Sequence, residues 1–397
     1  MLSLSERLNN VDANVGAEFR SQMESFKRSG RPVIALNIGE PDFKTPEHIS
    51  QAAINAIEAG FTKYTSVEGI YDLRVAICDK LKNENQIEYS PDDIVVSTGA
   101  KQALANALLA ICGKGDEVII PIPCWGSYPE MVKLVQATPV FVDVEENGNF
   151  VLAADKIREA ITDNTKALLL TNPHNPTGMV YDETLLLEIG RLAIEYDFYI
   201  IADEIYEYLT YEKNCVSIAS ISAAIKARTI TINGLSKSYA MTGWRVGYAA
   251  GPKAVINGMR LIQSYTTSNM NSISQKAALA ALLGPKNSIT QMAQEFDRRR
   301  RYVLQRINAM SGLSCVKPQG AFYIMINVSQ YFGKSYQDFF IRNSTDFVMF
   351  ILDQANVLLT PGEVFQAPNY VRLSYSNSMV NLERAMDKLD NALELLR

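Results

Sequence analysis

Histidine is close to absent: His48 and His174 are the only two in 397 residues. A serine–histidine–aspartate hydrolase would have to use one of them, and no Gly-x-Ser-x-Gly turn is present to carry the nucleophile. Cysteine is scarce as well. Cys78, Cys112, Cys124, Cys215 and Cys315 lie scattered with no Cys-x-x-Cys spacing, which argues against a zinc site and fits a reducing cytosol. No apolar run approaches the ~18 residues of a membrane span. The opening MLSLSERLNN lacks the apolar stretch of an export leader. The expectation is therefore a cytoplasmic chain with no membrane contact. Positive charge is not in excess either, and a net charge of −5 gives no support to nucleic-acid or anionic-membrane binding. A P-loop fails on one residue: the Gly-Lys-Ser at 333–335 has Val328 where the first glycine belongs.

What is present is ordinary globular usage, 47% apolar and 20% charged, in a chain longer than single domains usually run. One large domain with a smaller companion is expected. Residues 1 to about 30 read as a polar, helical arm. RPVIALNIGEPDFKTP reads as a short strand entering a Gly/Pro-rich loop, and 47–59 as a helix stopped by Gly60. Between 93 and 251 the apolar runs IVVS, EVIIP, VFVDV, KALLLTN, YIIADE, RTITIN and VGYAAG are separated mostly by helical stretches. That alternation is the signature of an α/β domain with a mostly parallel sheet. A long amphipathic helix is expected over 288–310, and its basic run, Arg298 to Arg301, reads as a solvated helix face. Beyond it, AFYIMINV and NYVRLSYS alternate with helices, as in an α+β second domain. The expected division is an arm with part of the small domain at 1–44, a large domain at 45–285 and the small domain at 286–397.

Residues 233–248, NGLSKSYAMTGWRVGY, organise the rest. Lys237 stands between Ser236 and Ser238, with Arg245 eight residues on. Such a lysine suits an aldehyde cofactor carrying a phosphate: the amine forms a Schiff base, while hydroxyl and guanidinium hold the phosphate. Taken alone, a solvated lysine is the plainer reading. Other residues converge on the same chemistry at strand ends, where ligands of parallel sheets collect. Asp203 ends FYIIAD, and a carboxylate beside a pyridine nitrogen keeps that nitrogen protonated. Tyr206, three residues later, can donate to a phenolic oxygen of the same ring, and Asn175 in NPHNPTG can reach that oxygen too. Gly99, Ala100 and Lys101 open a helix whose free N–H groups and positive dipole end face a phosphate. Trp125 in PIPCWGSY can stack on a planar ring. Each has a plainer alternative: Trp125 as core, Asn175 as a turn between two prolines, Lys101 as a first-turn lysine. Their joint occurrence carries the weight.

Together these motifs make the chain resemble a class I aminotransferase of pyridoxal-phosphate fold type I, close to the bacterial aspartate/aromatic/prephenate subgroup. The resemblance runs from GEPDF through KYTSVEG, GAKQAL, NPTG, ADEIY, SKSYAMTGWRVGY and PQGAFY to VRLSYS. It implies a mostly parallel seven-stranded sheet flanked by helices, a smaller α+β domain, and pyridoxal 5'-phosphate as cofactor. It also implies an amino group moved between an L-amino acid and a 2-oxo acid, in a homodimer with shared active sites. By the same resemblance Lys237 is the Schiff-base lysine and proton carrier. Asp203 pairs with the pyridine nitrogen, Tyr206 and Asn175 with the ring oxygen, and Trp125 stacks on the ring. Ser236, Arg245 and the amides of Gly99, Ala100 and Lys101 hold the phosphate, with Tyr64 reaching the neighbouring subunit's phosphate. Arg372 and the Gly39 backbone hold the substrate α-carboxylate.

Substrate identity is where the pattern diverges. Lys101 resembles a position linked to acidic side chains, yet Asp12 and Gly16 fall where such members often carry Lys and Thr. His174 also occurs in aromatic- and kynurenine-type members. Aspartate, aromatic and prephenate substrates all stay open. A pyridoxal-phosphate lyase or synthase would share every cofactor residue. A ligand-sensing regulator on this fold would carry an added DNA-binding module, for which the chain has no evident room.

Overall fold

The computed structural model describes residues 4–12, 30–146 and 149–397. All seven apolar runs between 93 and 251 are strands of one sheet. They are β1 (Ile94–Thr98), β2 (Glu117–Ile122), β3 (Thr138–Asp143), β4 (Thr165–Thr171), β5 (Tyr199–Asp203), β6 (Thr229–Gly234) and β7 (Val246–Ala250). Across the sheet they run β1-β7-β6-β5-β4-β2-β3. β7 is antiparallel to both neighbours, and the remaining pairs are parallel. Continuous apolar runs arise because the central strands are covered on both faces. In β5, Ile201 packs into a cluster with Ile120, Leu169 and Ile232, while Ile200 and Ala202 point into the opposite one with Leu168 and Leu170. Two-residue periodicity thus feeds two separate cores.

The order of the strands brings distant residues level. Thr171 of β4 lies opposite Asp203 of β5, which lies opposite Ile232 of β6. The chain crosses from β3 back over β2 to begin β4, so the sheet changes direction there, and the β4 and β5 ends face that crevice. Helix α1 (Gly99–Ile111) starts directly at the end of β1 and buries Ala103, Leu104, Ala107 and Leu108 against the sheet. Helix α2 (Ser127–Leu134) follows β2. The helix expected over 47–59 spans Glu47–Glu58, with Gly60 at φ +70° just beyond.

A smaller antiparallel sheet contains β8 (Ser314–Cys315), β9 (Tyr323–Asn327), β10 (Thr360–Pro361) and β11 (Tyr370–Ser374) in the order β8-β9-β11-β10. Residues Ile34–Ala35 pair with Val357–Leu358 beside it, which ties the GEPDF loop to this half of the molecule. Its core also takes in Tyr206 and Leu209 from the loop after β5. The Gly178 carbonyl, which accepts from the Gln319 and Gly320 N–H groups, and the Thr210–Gly320 bridge join the two halves. The early arm is described only at 4–12, where Glu6–Leu8 forms a 3-10 turn; Gly16 lies outside the described residues.

The long helix, α3, runs Asn287–Ala309, and here the expectation of a solvated basic face needs correction. Arg298 and Arg301 are exposed, but Arg299 and Arg300 are only 5% and 0% exposed. At 3.6 residues per turn, four consecutive arginines go right round a helix, so they cannot share one face. Arg300 donates to Asp297 Oδ1 (2.9 and 2.6 Å), Glu212 Oε1 (2.9 Å) and the Pro318 carbonyl (2.6 Å), with its guanidinium over the Tyr211 ring. Arg299 binds Asp42 and Glu295 at 2.6 and 2.9 Å.

Candidate active site

A cavity of about 560 Å³ lies at the carboxyl ends of β4 and β5, roofed by the smaller sheet. That is within the size range of small-molecule sites. Its wall includes Gly39, Ala100, Lys101, Trp125, Asn175, Asp203, Tyr206, Ser236, Lys237, Arg245 and Arg372. Eleven of the thirteen residues expected from sequence therefore meet. Gly99 stands immediately behind, packed on Arg245. Tyr64 does not join them: it is 90% exposed and is not part of the wall of this cavity in its own chain.

Lys237 follows β6, and its Nζ donates to the Gly39 carbonyl at 2.5 Å. Burial disfavours the ammonium, and the nearby Arg372 and Arg245 add to this; Glu40 and Asp203 oppose it, leaving the amine down at about 8. Asp203 is buried at the end of β5, which pushes its carboxyl up. Two donors counter that effect: Tyr128 Oη at 2.7 Å from Oδ2, and the Ile205 N–H at 3.2 Å from Oδ1. Tyr128 Oη is also 2.7 Å from Thr171 Oγ1. A phenol has one proton, so with Tyr128 donating to Asp203 it is Thr171 that donates to Tyr128.

The glycines show where backbone and guanidinium must come close. A Cβ on Gly99, which sits at φ +77°, would lie 2.4 Å from Arg245 Nη2. One on Gly247 would lie 2.2 Å from the Ala100 nitrogen. Only glycine lets β7, the start of α1 and Arg245 converge. On the opposite wall, Arg372 of β11 donates from Nη1 to Asn175 Oδ1 (3.0 Å) and from Nη2 to the Asn37 carbonyl (3.1 Å). Its guanidinium lies 4.2 Å from the Tyr323 ring and 4.6 Å from the Phe365 ring. Its Nε is buried without a partner. Lys101 Nζ sits 4.7 Å over the Trp125 ring and 3.3 Å from Ser127 Oγ, its ammonium disfavoured by burial and by Arg245.

The whole-chain comparison decides which chemistry this is. Residues 31–389 match the model of the family "Aminotransferase class I and II". The chain belongs to that family. It is a transaminase, it depends on pyridoxal 5'-phosphate, and it acts on amino acids and 2-oxo acids. It is 42% identical over 388 residues to an aspartate aminotransferase of Bacillus sp. (strain YM-2), covering 98% of each chain. It is 43% identical to a probable aspartate/prephenate aminotransferase of Rickettsia felis, covering 99% of this chain and 97% of that one. Among solved structures, the aspartate aminotransferase from Rhizobium meliloti superposes with a TM-score of 0.96 at 38% identity, covering 100% of both chains. The Thermus thermophilus aspartate aminotransferase with maleate gives 0.92 at 38%, covering 99% of this chain and 100% of that one.

The donor set of this aminotransferase fits its cofactor. A positive helix start, the Arg245 guanidinium and Ser236 form one anion-binding cradle, and the Gly99 and Gly247 positions leave it open. A buried carboxylate, Asp203 at the carboxyl end of β5, and a buried phenol, Tyr206 just after it, are groups of the kind able to meet a ring nitrogen and a ring oxygen. Two residues were missed in the sequence. Tyr128 carried a signal, since it lies one helical turn beyond Trp125, and the two rings meet edge-on at 5.2 Å. Tyr323, in the quoted GAFY, carried none that assigns a role. His174 takes no part in the cavity: it is buried, its Nδ1 lies 2.7 Å from Thr177 Oγ1, and burial pushes it down to about 4, so it is neutral at pH 7. Asp12 is exposed, and its N–H donates to Glu130.

Proposed function

We propose that this aminotransferase works on dicarboxylic amino acids and their 2-oxo acids, of the aspartate/2-oxoglutarate type. The observation that carries the reading is Lys101, a cation on the cavity wall in addition to Arg372 and to the Lys237 and Arg245 assigned to the cofactor. A substrate with two carboxylates meets both Lys101 and Arg372; the Trp125 ring beside Lys101 keeps aromatic donors within the range. The relatives named for aspartate and prephenate fit the same reading, since prephenate also carries two carboxylates.

When bound, pyridoxal 5'-phosphate supplies an aldehyde that exchanges for an amine and a ring that withdraws electrons. The residues of the chain do the rest. Ser236, Arg245 and the N–H groups of Gly99, Ala100 and Lys101 hold the phosphate. Asp203 keeps its negative charge at the ring nitrogen, and Tyr206 donates at the ring oxygen, with Asn175 beside it. Trp125 covers one ring face. Arg372 clamps the α-carboxylate against the Gly39 backbone, a planar contact that fixes the orientation of the Cα–H bond. Lys237 Nζ would take the proton from Cα and give it up on the cofactor side rather than back to Cα, the shift that leaves the amino group behind when the 2-oxo acid departs. An amine near pKa 8 is uncharged in about one molecule in ten at pH 7 and still basic enough to take that proton.

We also propose a homodimer with shared sites. Tyr64, with Tyr265 (85% exposed) and Leu261 (60%), leaves large apolar groups uncovered that a second copy would bury. The division at 1–44, 45–285 and 286–397 is supported by the separate clusters of the two sheets. The five unpaired cysteines fit a reducing compartment, and the cytoplasm is the proposed location.

A panel of donors and acceptors, followed by 2-oxo acid formation, tests the substrate reading. Aspartate and glutamate should exceed phenylalanine in kcat/KM. A preference for neutral donors would overturn it, and release of ammonia or a cyclised product would point to a lyase or synthase. Mixed dimers of Tyr64→Ala and Lys237→Ala subunits should recover activity at one intact site; no recovery removes the shared-site proposal.

A further inference from the structure

Tyr323 touches three parts of the site: Arg372, Tyr206 and the Gly39 peptide. It opens β9 and lies diagonally across from Arg372 of β11, because the registered pairs are Tyr323 with Ser374 and Met325 with Arg372. Its ring lies 4.2 Å from the Arg372 guanidinium. Its hydroxyl is 2.8 Å from the Tyr206 hydroxyl. A Cβ on Gly39 would sit 2.7 Å from that same oxygen, so the hydroxyl stands directly beneath the peptide that receives Lys237. The Phe322 ring holds Tyr206 edge-on from another side at 5.5 Å, which limits where its oxygen can go.

The proton count gives the pair a direction. Burial holds both phenols above their ordinary range, so both keep their single proton at neutral pH. If Tyr206 gives its proton to a ring oxygen, it has none left for Tyr323, and the 2.8 Å bond forms only with Tyr323 as donor. A donor whose own oxygen accepts a hydrogen bond is polarised and donates more strongly. The Arg372 cation over the Tyr323 ring strengthens that first donor further.

We propose that Tyr323 is a positioning residue for the transamination: its hydroxyl donates to Tyr206 and so commits Tyr206 as the donor to the phenolic oxygen of bound pyridoxal 5'-phosphate. This rests on the assignment of Tyr206 proposed above. The test is the pH midpoint of the visible absorption change of the cofactor-loaded protein, measured for wild type, Y323F, Y206F and the double variant. Losing a donor destabilises the charged ring oxygen, so midpoints rise. Y206F should rise by about one pH unit, and Y323F by a smaller amount of about half a unit. The double variant should match Y206F, because Tyr323 acts only through Tyr206. Phenylalanine keeps the ring under Arg372, so Y323F should lower kcat and leave KM for the amino donor unchanged. A wild-type midpoint in Y323F beside a raised one in Y206F overturns the proposal and leaves the role of Tyr206 standing. A further rise of the double variant above Y206F also overturns it, since Tyr323 then acts directly. An unchanged midpoint in Y206F removes the assignment of Tyr206, and the proposal with it.

Discussion

Arg300 and Arg372 are both buried, and both lie against aromatic rings, but their surroundings end differently. Around Arg300 every nitrogen has a partner: Asp297 takes Nε and Nη2, Glu212 takes Nη2, and the Pro318 carbonyl takes Nη1. Around Arg372 the partners are neutral, Asn175 and the Asn37 carbonyl, and Nε has none. Among the described residues no carboxylate pairs with it. A buried cation is costly unless paired, and an unmade hydrogen bond adds to that cost. The saturated arginine belongs to the fabric of the fold. The unsaturated one stores a demand for an anion, which a substrate carboxylate meets.

The sharpest way to break the contrast is to remove each arginine. Arg300→Leu takes one partner from Asp297, which keeps Arg301, and from Glu212, which keeps Lys317, and it leaves the Pro318 carbonyl without its donor; unmade hydrogen bonds of this kind cost on the order of 2–3 kcal/mol together. The midpoint of urea unfolding should fall strongly, with KM of the remaining folded enzyme unchanged. Arg372→Leu should do the reverse. Truncating one side of a charge pair with the substrate costs about 2–5 kcal/mol, so kcat/KM should drop tens- to thousands-fold for every donor. Its unfolding midpoint should hold or rise, because an unpaired buried charge has gone. A large stability loss in Arg372→Leu would mean that both arginines are structural.

Lys101 extends the comparison to a partly exposed cation, whose pairing is worth less. Lys101→Ala should lower kcat/KM for aspartate about tenfold and leave phenylalanine nearly unaffected. Equal losses would assign Lys101 to the phosphate, and no loss for either would leave it a surface lysine.

The smallest effect is expected at Tyr128, which acts on a buried anion rather than a cation. Burial raises the Asp203 carboxyl and the Tyr128 hydrogen bond holds it down. Tyr128→Phe removes that restraint, so the carboxyl rises and takes up its proton at a higher pH. The acid limb of the kcat–pH profile should move upward, with a loss at neutral pH of about tenfold or less. An unmoved acid limb would show that the Ile205 N–H and the surrounding charges suffice.

Much of the site was legible because its residues sit in short motifs at strand ends. Asp203 closes an apolar run that only a doubly covered strand requires. Gly99-Ala100-Lys101 opens a helix directly after a strand. Local chemistry is enough to find such residues. The burial of Arg299 and Arg300 was not legible, since four arginines in a row look alike until neighbouring elements decide which sides are covered.

The sequence by itself determined the seven strands, their separation from the later antiparallel sheet, and the local motifs around Lys237 and Asp203, because these depend on periodicity and on neighbours a few residues apart. Only the tertiary structure decided the partners. Tyr128 meets Asp203 across 75 residues, Tyr206 meets Tyr323 across 117, and Arg372 meets Asn175 across 197. Those contacts exist because strand order and the packing of the two sheets bring separate chain segments to one crevice, and no local pattern records which side chain will be opposite which.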